Sequence, residues 1–474
     1  MQFDERASTA LKLLFPLLIL ALLGISPVSN VVSSSLLAAS VARESGRHQA
    51  AAAALRQAAE REPWRTDLWE QIGREEWAAG RIEEAEQALQ ASAARGALSA
   101  DGRFLLGEVF WQQGKLDSAE TQWQALLDGA WKSTRVYERL AQLHRSRGDF
   151  ARAAEVLRGW RSDFPQDAKA AFLLGLHLSA MEPDAAIPAL LDASRLNSDY
   201  TSAVQVLRGG LALAGNTDDP AYAWLLIGRS LASLGHWDLA QAAFEKSITA
   251  APDYAEAWAF LGEARVHLGG SGKPELEKAR ALDDESVLVK ALSAVALRRE
   301  GDFSNALAYL LEIEKHEPQE PNWQVEIGST MAVLGDLAGA HAYFARAVEL
   351  APDNSHYWQS LAWFSITYHY DVRGIGLPAS RRAVQLAPDD AAALDVMGWT
   401  MAVLGDRASA ERFLQRALDQ DAVYAPACLH LGQVYLEQGN AQEARFYLKI
   451  ASDQDVSGPV GDKARRLLRQ YFRE

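Results

Sequence analysis

The sequence predicts an all-α fold, a solenoid of antiparallel helix pairs preceded by an N-terminal hydrophobic helix. Three observations predict it: a repeat of about 34 residues, an apolar stripe on each half of the repeat, and a glycine between the halves. They are visible on comparing AYAWLLIGRSLASLGHWDLAQAAFEKSITAAP (221–252) with AAALDVMGWTMAVLGDRASAERFLQRALDQDA (391–422). Counted from the first residue, large apolar side chains fall at places 4 and 7, a small residue at 8 and Gly at 15. Ala then falls at 20, a large apolar residue at 24, a small one near 27 and often Pro at 32. Places 4, 7 and 11 make one helical stripe, and 20, 24 and 27 make the facing stripe of a second helix. Gly ends the first helix and Pro ends the second.

The elements follow in chain order. Residues 1–31 form an N-terminal tail and hydrophobic segment. No charge occurs between Lys12 and Arg43, and LLFPLLILALLGI (13–25) is almost continuously apolar. Extended to Val31, the stretch approaches the roughly 20 residues that a membrane helix needs. It is read as an uncleaved single-pass anchor with the amino end inside and the bulk extracytoplasmic; the alternative is a signal peptide and a secreted chain. Residues 32–200 hold units 1–5, starting at Val32, Thr66, Ala100, Thr134 and Ala168. Residues 201–220 read as an irregular half-unit, a first helix without a second. Residues 221–456 hold units 6–12, starting at Ala221, Ala255, Val287, Pro321, Ser355, Ala391 and Ala425. Residues 457–474 supply the polar capping helix that the end of a stacked array requires.

Composition narrows the chemistry. Lys plus Arg total 47 against 62 Asp plus Glu, a formal charge of −15 with no basic block, which argues against nucleic acid. The single cysteine, Cys428, rules out an internal disulfide and falls at core place 4. The ten histidines are dispersed, and no calcium-type carboxylate loop occurs, so neither a metal nor a cofactor is expected. LGGSGKPE (268–275) imitates a phosphate loop, but His267 stands where its first Gly belongs and Pro274 where its Ser or Thr belongs. It reads instead as a shortened turn. ITYHYDVRGIGLPA (366–379) looks chemical but fits an inter-helix turn lengthened by two residues, with His369 in the glycine place and Tyr368, His369 and Tyr370 exposed on a rim.

The place pattern resembles the tetratricopeptide repeat family across about residues 32–456. Trp69, Trp224, Trp258 and Trp358 match the family's Trp place, and Phe244 and Phe344 its Phe place. The resemblance is also to its membrane-anchored bacterial type. It implies that first helices line a concave surface into which places 2, 5, 9, 12 and 13 point. Those places include Trp77, Trp111, Arg145, Arg229, Arg298, Gln359, Trp363, Trp399 and Gln433, the candidate partner-binding groove. Trp363 and Trp399 share place 9 of adjacent units and read either as an exposed aromatic platform or as inter-unit packing. Family members that clamp chaperone carboxylate tails need a cationic set over three successive units. Glu70 with Arg74, Glu138 with Gln142 and Asp395 with Trp399 do not supply it. The expected function is a non-catalytic scaffold, tethered to a membrane, that binds a protein or peptide and organises a cell-envelope process. The alternative is an exported protein recognising glycan through groove aromatics. About 18 residues after the repeats leave no room for an appended catalytic domain.

Overall fold

The computed structural model describes residues 31–129, 131–456 and 458–472. Among these there is no strand, and helices follow one another in antiparallel pairs. The first pairs are α1 (31–44) with α2 (His48–Arg61), α3 (Asp67–Ala78) with α4 (Ile82–Ala94), and α5 (Ala100–Gln112) with α6 (Leu116–Asp128). Next come α7 (Thr134–Ser146) with α8 (Phe150–Asp163), α9 (Ala168–Met181) with α10 (Pro183–Leu196), and the single helix α11 (Thr201–Gly215). Pairing resumes with α12 (Pro220–Ser233) and α13 (Trp237–Ala250), α14 (Ala255–His267) and α15 (Lys273–Leu282), and α16 (Val287–Glu300) and α17 (Phe303–His316). The last pairs are α18 (Pro321–Val333) with α19 (Leu337–Leu350), α20 (Ser355–Thr367) with α21 (Leu377–Leu386), α22 (Ala391–Val403) with α23 (Arg407–Gln420), and α24 (Ala425–Gln438) with α25 (Ala441–Gln454). Helix α26 (Pro459–Phe472) closes the chain. Two compact bodies result, one of residues up to Thr217 with Leu226–Leu239, the other of Asp218–Leu225 with Ala240 onward.

Local chemistry explains the repeated turn. Place 15 has φ between 69° and 90° in ten units, a left-handed conformation that costs glycine nothing. The Asp that often follows caps the second helix: Asp149, Asp302, Asp336 and Asp406 each accept the backbone N–H three residues on, at 2.9 to 3.2 Å.

Each pair closes by setting a large side chain into a gap left by a small one. In the third unit Trp123 is fully buried and lies against Gly107, where an added Cβ would fall 2.1 Å from its Nε1. Trp123 Nε1 donates to the Phe104 carbonyl at 3.2 Å, so the indole is fixed at both its edge and its face. The same place-8 and place-24 relation recurs as Gly328 under Phe344 and Gly398 under Leu414.

The tenth pair departs from the rule, and its backbone carries the difference. His369 (φ 51°) and Asp371 (φ 42°) are the two non-glycine residues with positive φ among those described. The Asp371 carboxylate accepts from Gly374 N at 2.9 Å, and a π-turn, Val372–Gly376, absorbs the extra residues before α21. Tyr368 and Tyr370 are half-buried, with ring centroids 5.9 and 5.4 Å from Phe364. Of the three residues expected on the rim, His369 alone is exposed; the apolar faces of the tyrosines draw them onto the core. Left-handed backbone costs a residue with a Cβ about 1 kcal/mol. His369→Gly is therefore expected to slow amide exchange across 364–376 by several-fold; unchanged exchange would show that this turn is unstrained.

The membrane placement needs correction. Among the described residues no helix is long and apolar enough to cross a membrane. Of the expected span, Val31 alone is among the described residues, and it lies in a helix. Residues 13–30 of the expected hydrophobic helix lie outside those described. The assignment as a single-pass membrane protein with an N-terminal anchor is accordingly overturned.

Candidate protein-docking surface

The nine groove candidates sit on first helices, as their places require, but in unlike surroundings. In the first body, Trp77, Trp111 and Arg145 occupy place 12 of three successive units, on α3, α5 and α7. Trp77 and Trp111 are half-buried and pack against one cluster centred on Trp123, with Trp111 5.9 Å from the Trp123 ring. Around them Arg74, Ala78, Gln112, Gln142 and Ser146 are exposed. This stretch is an open, mixed surface in which two indoles show part of their faces.

Polar pairs tie the same helices to one another. Arg139 on α7 donates through two nitrogens to the Glu108 carboxylate on α5, at 2.7 and 2.8 Å. Arg74 donates to Glu70 at 2.7 Å, and Ser99 binds that carboxylate through its N–H and its hydroxyl. The Ser99 contacts and Arg74 hold Glu70 below the ordinary carboxylate range, although burial acts most strongly and in the opposite sense. The charges of this face are thus largely neutralised within it, leaving amides and indoles to meet a partner.

Arg145 is not available in the same way. Its guanidinium makes a two-pronged pair with Asp238, 93 residues on, and lies 3.4 Å from His236 Nδ1. The charges of Arg145 and Asp238 act on His177 of α9, in the run Leu174 to Ala180 that is buried throughout. His177 Nδ1 donates to the Leu173 carbonyl at 2.8 Å, which leaves Nε2 a buried acceptor with no hydrogen-bond partner. Burial pushes the His177 pKa down to about 4, against the raising effect of the Leu173 carbonyl. Arg229 on α12 is exposed.

In the second body the candidates are mostly engaged. Arg298 pairs with Glu326 on the next first helix. Gln359 is buried and donates to Ser355 Oγ at 2.9 Å and Asp390 Oδ2 at 2.8 Å. Trp363 and Trp399 converge on one side chain, His430, with centroids at 5.4 and 4.5 Å. His430 Nδ1 donates to Asp395 Oδ1 at 2.8 Å, and both residues are buried. Lys463 of α26 approaches the Trp399 ring to 5.9 Å. Gln433 is half-buried, its Oε1 enclosed and without a partner. No residue of α22 is exposed. Trp363 and Trp399 are half-buried, as Trp77 and Trp111 are, and both rest against His430 of a following unit.

Sequence reading missed His430, His236 and Asp238. A signal for the first was present: α20 has no charged residue, α22 only Asp395 and α24 only Glu437. A lone charge in such a run needs a buried partner close by. Cys428 is buried and its thiol is pushed up to about 11, chiefly by burial and then by Asp395, the state of a packing residue.

Comparison with known proteins agrees with the helix-pair pattern. The tetratricopeptide repeat family model matches residues 71–133, 138–201, 225–287 and 292–355, and a second model of that repeat matches 404–468. Among solved structures, the chain is similar to the APC/C hetero-tetramer Cut9–Hcn1 at 15% identity and a TM-score of 0.41, covering 94% of this chain and 99% of that one. It is similar to yeast Tom70 at 13% and 0.43, covering 93% and 96%. A repeat protein from Parabacteroides merdae ATCC 43184 gives 13% and 0.44, covering 52% and 98%. No curated protein matches the sequence.

Proposed function

Because the chain belongs to the tetratricopeptide repeat family, we propose that it is a non-catalytic scaffold that binds a protein partner on the first-helix faces of its first body. The observation that carries this reading is the surface of α3, α5 and α7. Trp77 and Trp111 are half-buried there, at the same place of adjacent units, among exposed Arg74, Gln112 and Gln142. Half-buried indoles are held rigid by the cluster beneath, so they offer large contact area with little ordering cost on binding. Exposed glutamines beside them supply donors and acceptors for a peptide backbone. In the last units the helix that carries Trp399, α22, has no exposed residue, which is why the docking surface is assigned to the first body.

The reading separates the two sides of one unit. Gln112→Arg and Gln142→Arg place a long cation on the docking face. Gln124→Arg does the same on the second helix α6, where Gln124 is also exposed. With the full-length chain as bait, the first two are expected to lower recovery of specific partners at least about tenfold, equivalent to about 1.4 kcal/mol. Gln124→Arg is expected to leave it unchanged. Equal recovery from all three variants would remove the docking face from α3, α5 and α7.

A further inference from the structure

Place 12 of the first four units reads Arg43, Trp77, Trp111 and Arg145, and no later unit carries an aromatic residue there. Two half-buried indoles therefore stand at one place of adjacent units, with a guanidinium at the same place on either side. The helices that carry the indoles are neighbours. Ser99, which caps α5, donates its N–H and its hydroxyl to Glu70 of α3 at 2.7 and 2.6 Å. Helices packed side by side have axes about 8 to 10 Å apart, and side chains at one place of each repeat at about that interval.

Charge restricts what can lie across them. Arg43 pairs with Glu75 and Arg145 with Asp238, so each flanking guanidinium is neutralised in place. Arg74 is likewise held by Glu70, and Arg139 on α7 by Glu108 on α5. Each guanidinium of the face is thus matched by a carboxylate, which leaves no excess charge of either sign to attract a charged ligand. What the face offers is two partly open indoles and the exposed amide of Gln112 beside the second of them.

We propose that Trp77 and Trp111 bind an uncharged proline-rich segment of the partner in the polyproline II conformation, with prolines three residues apart on the two indoles. The proposal rests on the docking face of α3, α5 and α7 and names the ligand it takes. A polyproline II chain rises about 3.1 Å per residue and turns once in three, so one edge presents a ring about every 9 Å. That interval matches the helix spacing. A β-strand repeats on one face about every 6.6 Å and an α-helix about every 5.4 Å, so neither sets successive side chains on both indoles. The proline chain is also pre-formed, so little ordering cost opposes its binding to a rigid aromatic surface. Its carbonyls have no internal partners, and indole N–H groups and the Gln112 amide are donors of the kind they need. The ion-paired arginines bound the aromatic pair on both sides, so the recognised core is four residues, Pro-x-x-Pro.

N-acetyl-hexaproline amide is the probe, titrated calorimetrically into the full-length chain beside a blocked Gly-Ser hexapeptide and hexaglutamate. Hexaproline is expected to bind at least about tenfold more tightly than either. Because the contact is uncharged, its affinity is expected to change less than about twofold between low and high salt. Trp77→Leu and Trp111→Leu are each expected to weaken it at least about tenfold, and Trp399→Leu, at a half-buried indole of the second body, to leave it unchanged. Gln112→Arg, an exposed change that leaves the packing around Trp123 intact, is expected to weaken it several-fold. The proposal is overturned if hexaproline binds no better than the Gly-Ser peptide, if hexaglutamate binds as tightly, or if Trp399→Leu weakens binding as much as Trp111→Leu. Loss of cellular partners in Gln112→Arg without any hexaproline binding to the unaltered chain would keep the docking face and remove the proline-rich ligand.

Discussion

Gly107→Ala is expected to destabilise the first body by about 2 kcal/mol, the reverse of what the same exchange does in an exposed helix. In an open helix Ala gains about 1 kcal/mol over Gly. At Gly107 the new methyl would sit 2.1 Å from Trp123 Nε1, and Trp123 has no free space to retreat into because it is fully buried. Moving the indole also breaks its hydrogen bond to the Phe104 carbonyl, leaving the buried indole N–H unpaired. Overpacking of this kind costs about 1 to 3 kcal/mol, and the lost hydrogen bond adds about 1. The coupling can be isolated: in a Trp123→Phe background the exchange should cost far less, since the smaller ring clears the methyl. Equal costs in both backgrounds, read from thermal unfolding of the first body, would show that the Gly107–Trp123 contact does not set the spacing of α5 and α6. The consequence extends to the docking face, because Trp111 rests on Trp123 and would shift with it.

Acid is expected to weaken the first body between pH 6.5 and 4 through His177. The native imidazole stays neutral down to a pKa of about 4, whereas an unfolded histidine takes its proton near 6.5. In this window the unfolded chain binds a proton that the folded chain refuses, so stability falls as pH falls and levels off below 4. At pH 4.5 the loss amounts to about 2.5 kcal/mol. His177→Leu should flatten that part of the profile while leaving stability at pH 8 little changed, as no charge is lost there. His236 is also held below its ordinary value, first by burial and then by Arg145, so some slope persists in the variant. An identical pH profile for His177→Leu would mean that the site admits water or a proton more easily than its burial implies. Asp238, whose carboxylate Arg145 keeps below its ordinary pKa in spite of burial, holds the Arg145 pair intact through the same window.

The helix pairs were legible because their determinants are local. Turn glycines, the Asp caps that follow them and the small-over-large contacts at places 8 and 24 all act within 34 residues, and a period repeats them often enough to be read. What the period does not encode is which first-helix faces stay open. Two contacts decide that: Arg145 with Asp238, 93 residues apart, and Trp363 with His430, 67 apart. Both depend on how successive pairs rotate, which no single unit specifies. The nine candidates therefore include a half-buried indole at Trp111 beside exposed Gln112, a paired guanidinium at Arg145 and a half-buried indole stacked on His430 at Trp399. The turn at 366–379 was legible in its length but not in its side chains, since the left-handed backbone at His369 and Asp371 directs Tyr370 inward onto Phe364.

The docking assignment is tested most directly by placing a photo-crosslinking residue at Gln112, on the open face of α5, or at Gln124, on the second helix of the same unit. Irradiation of cells carrying each full-length variant should yield discrete protein adducts from position 112 and none in common from position 124. The same adducts from both positions, or adducts from 124 alone, would contradict a docking surface on the first helices.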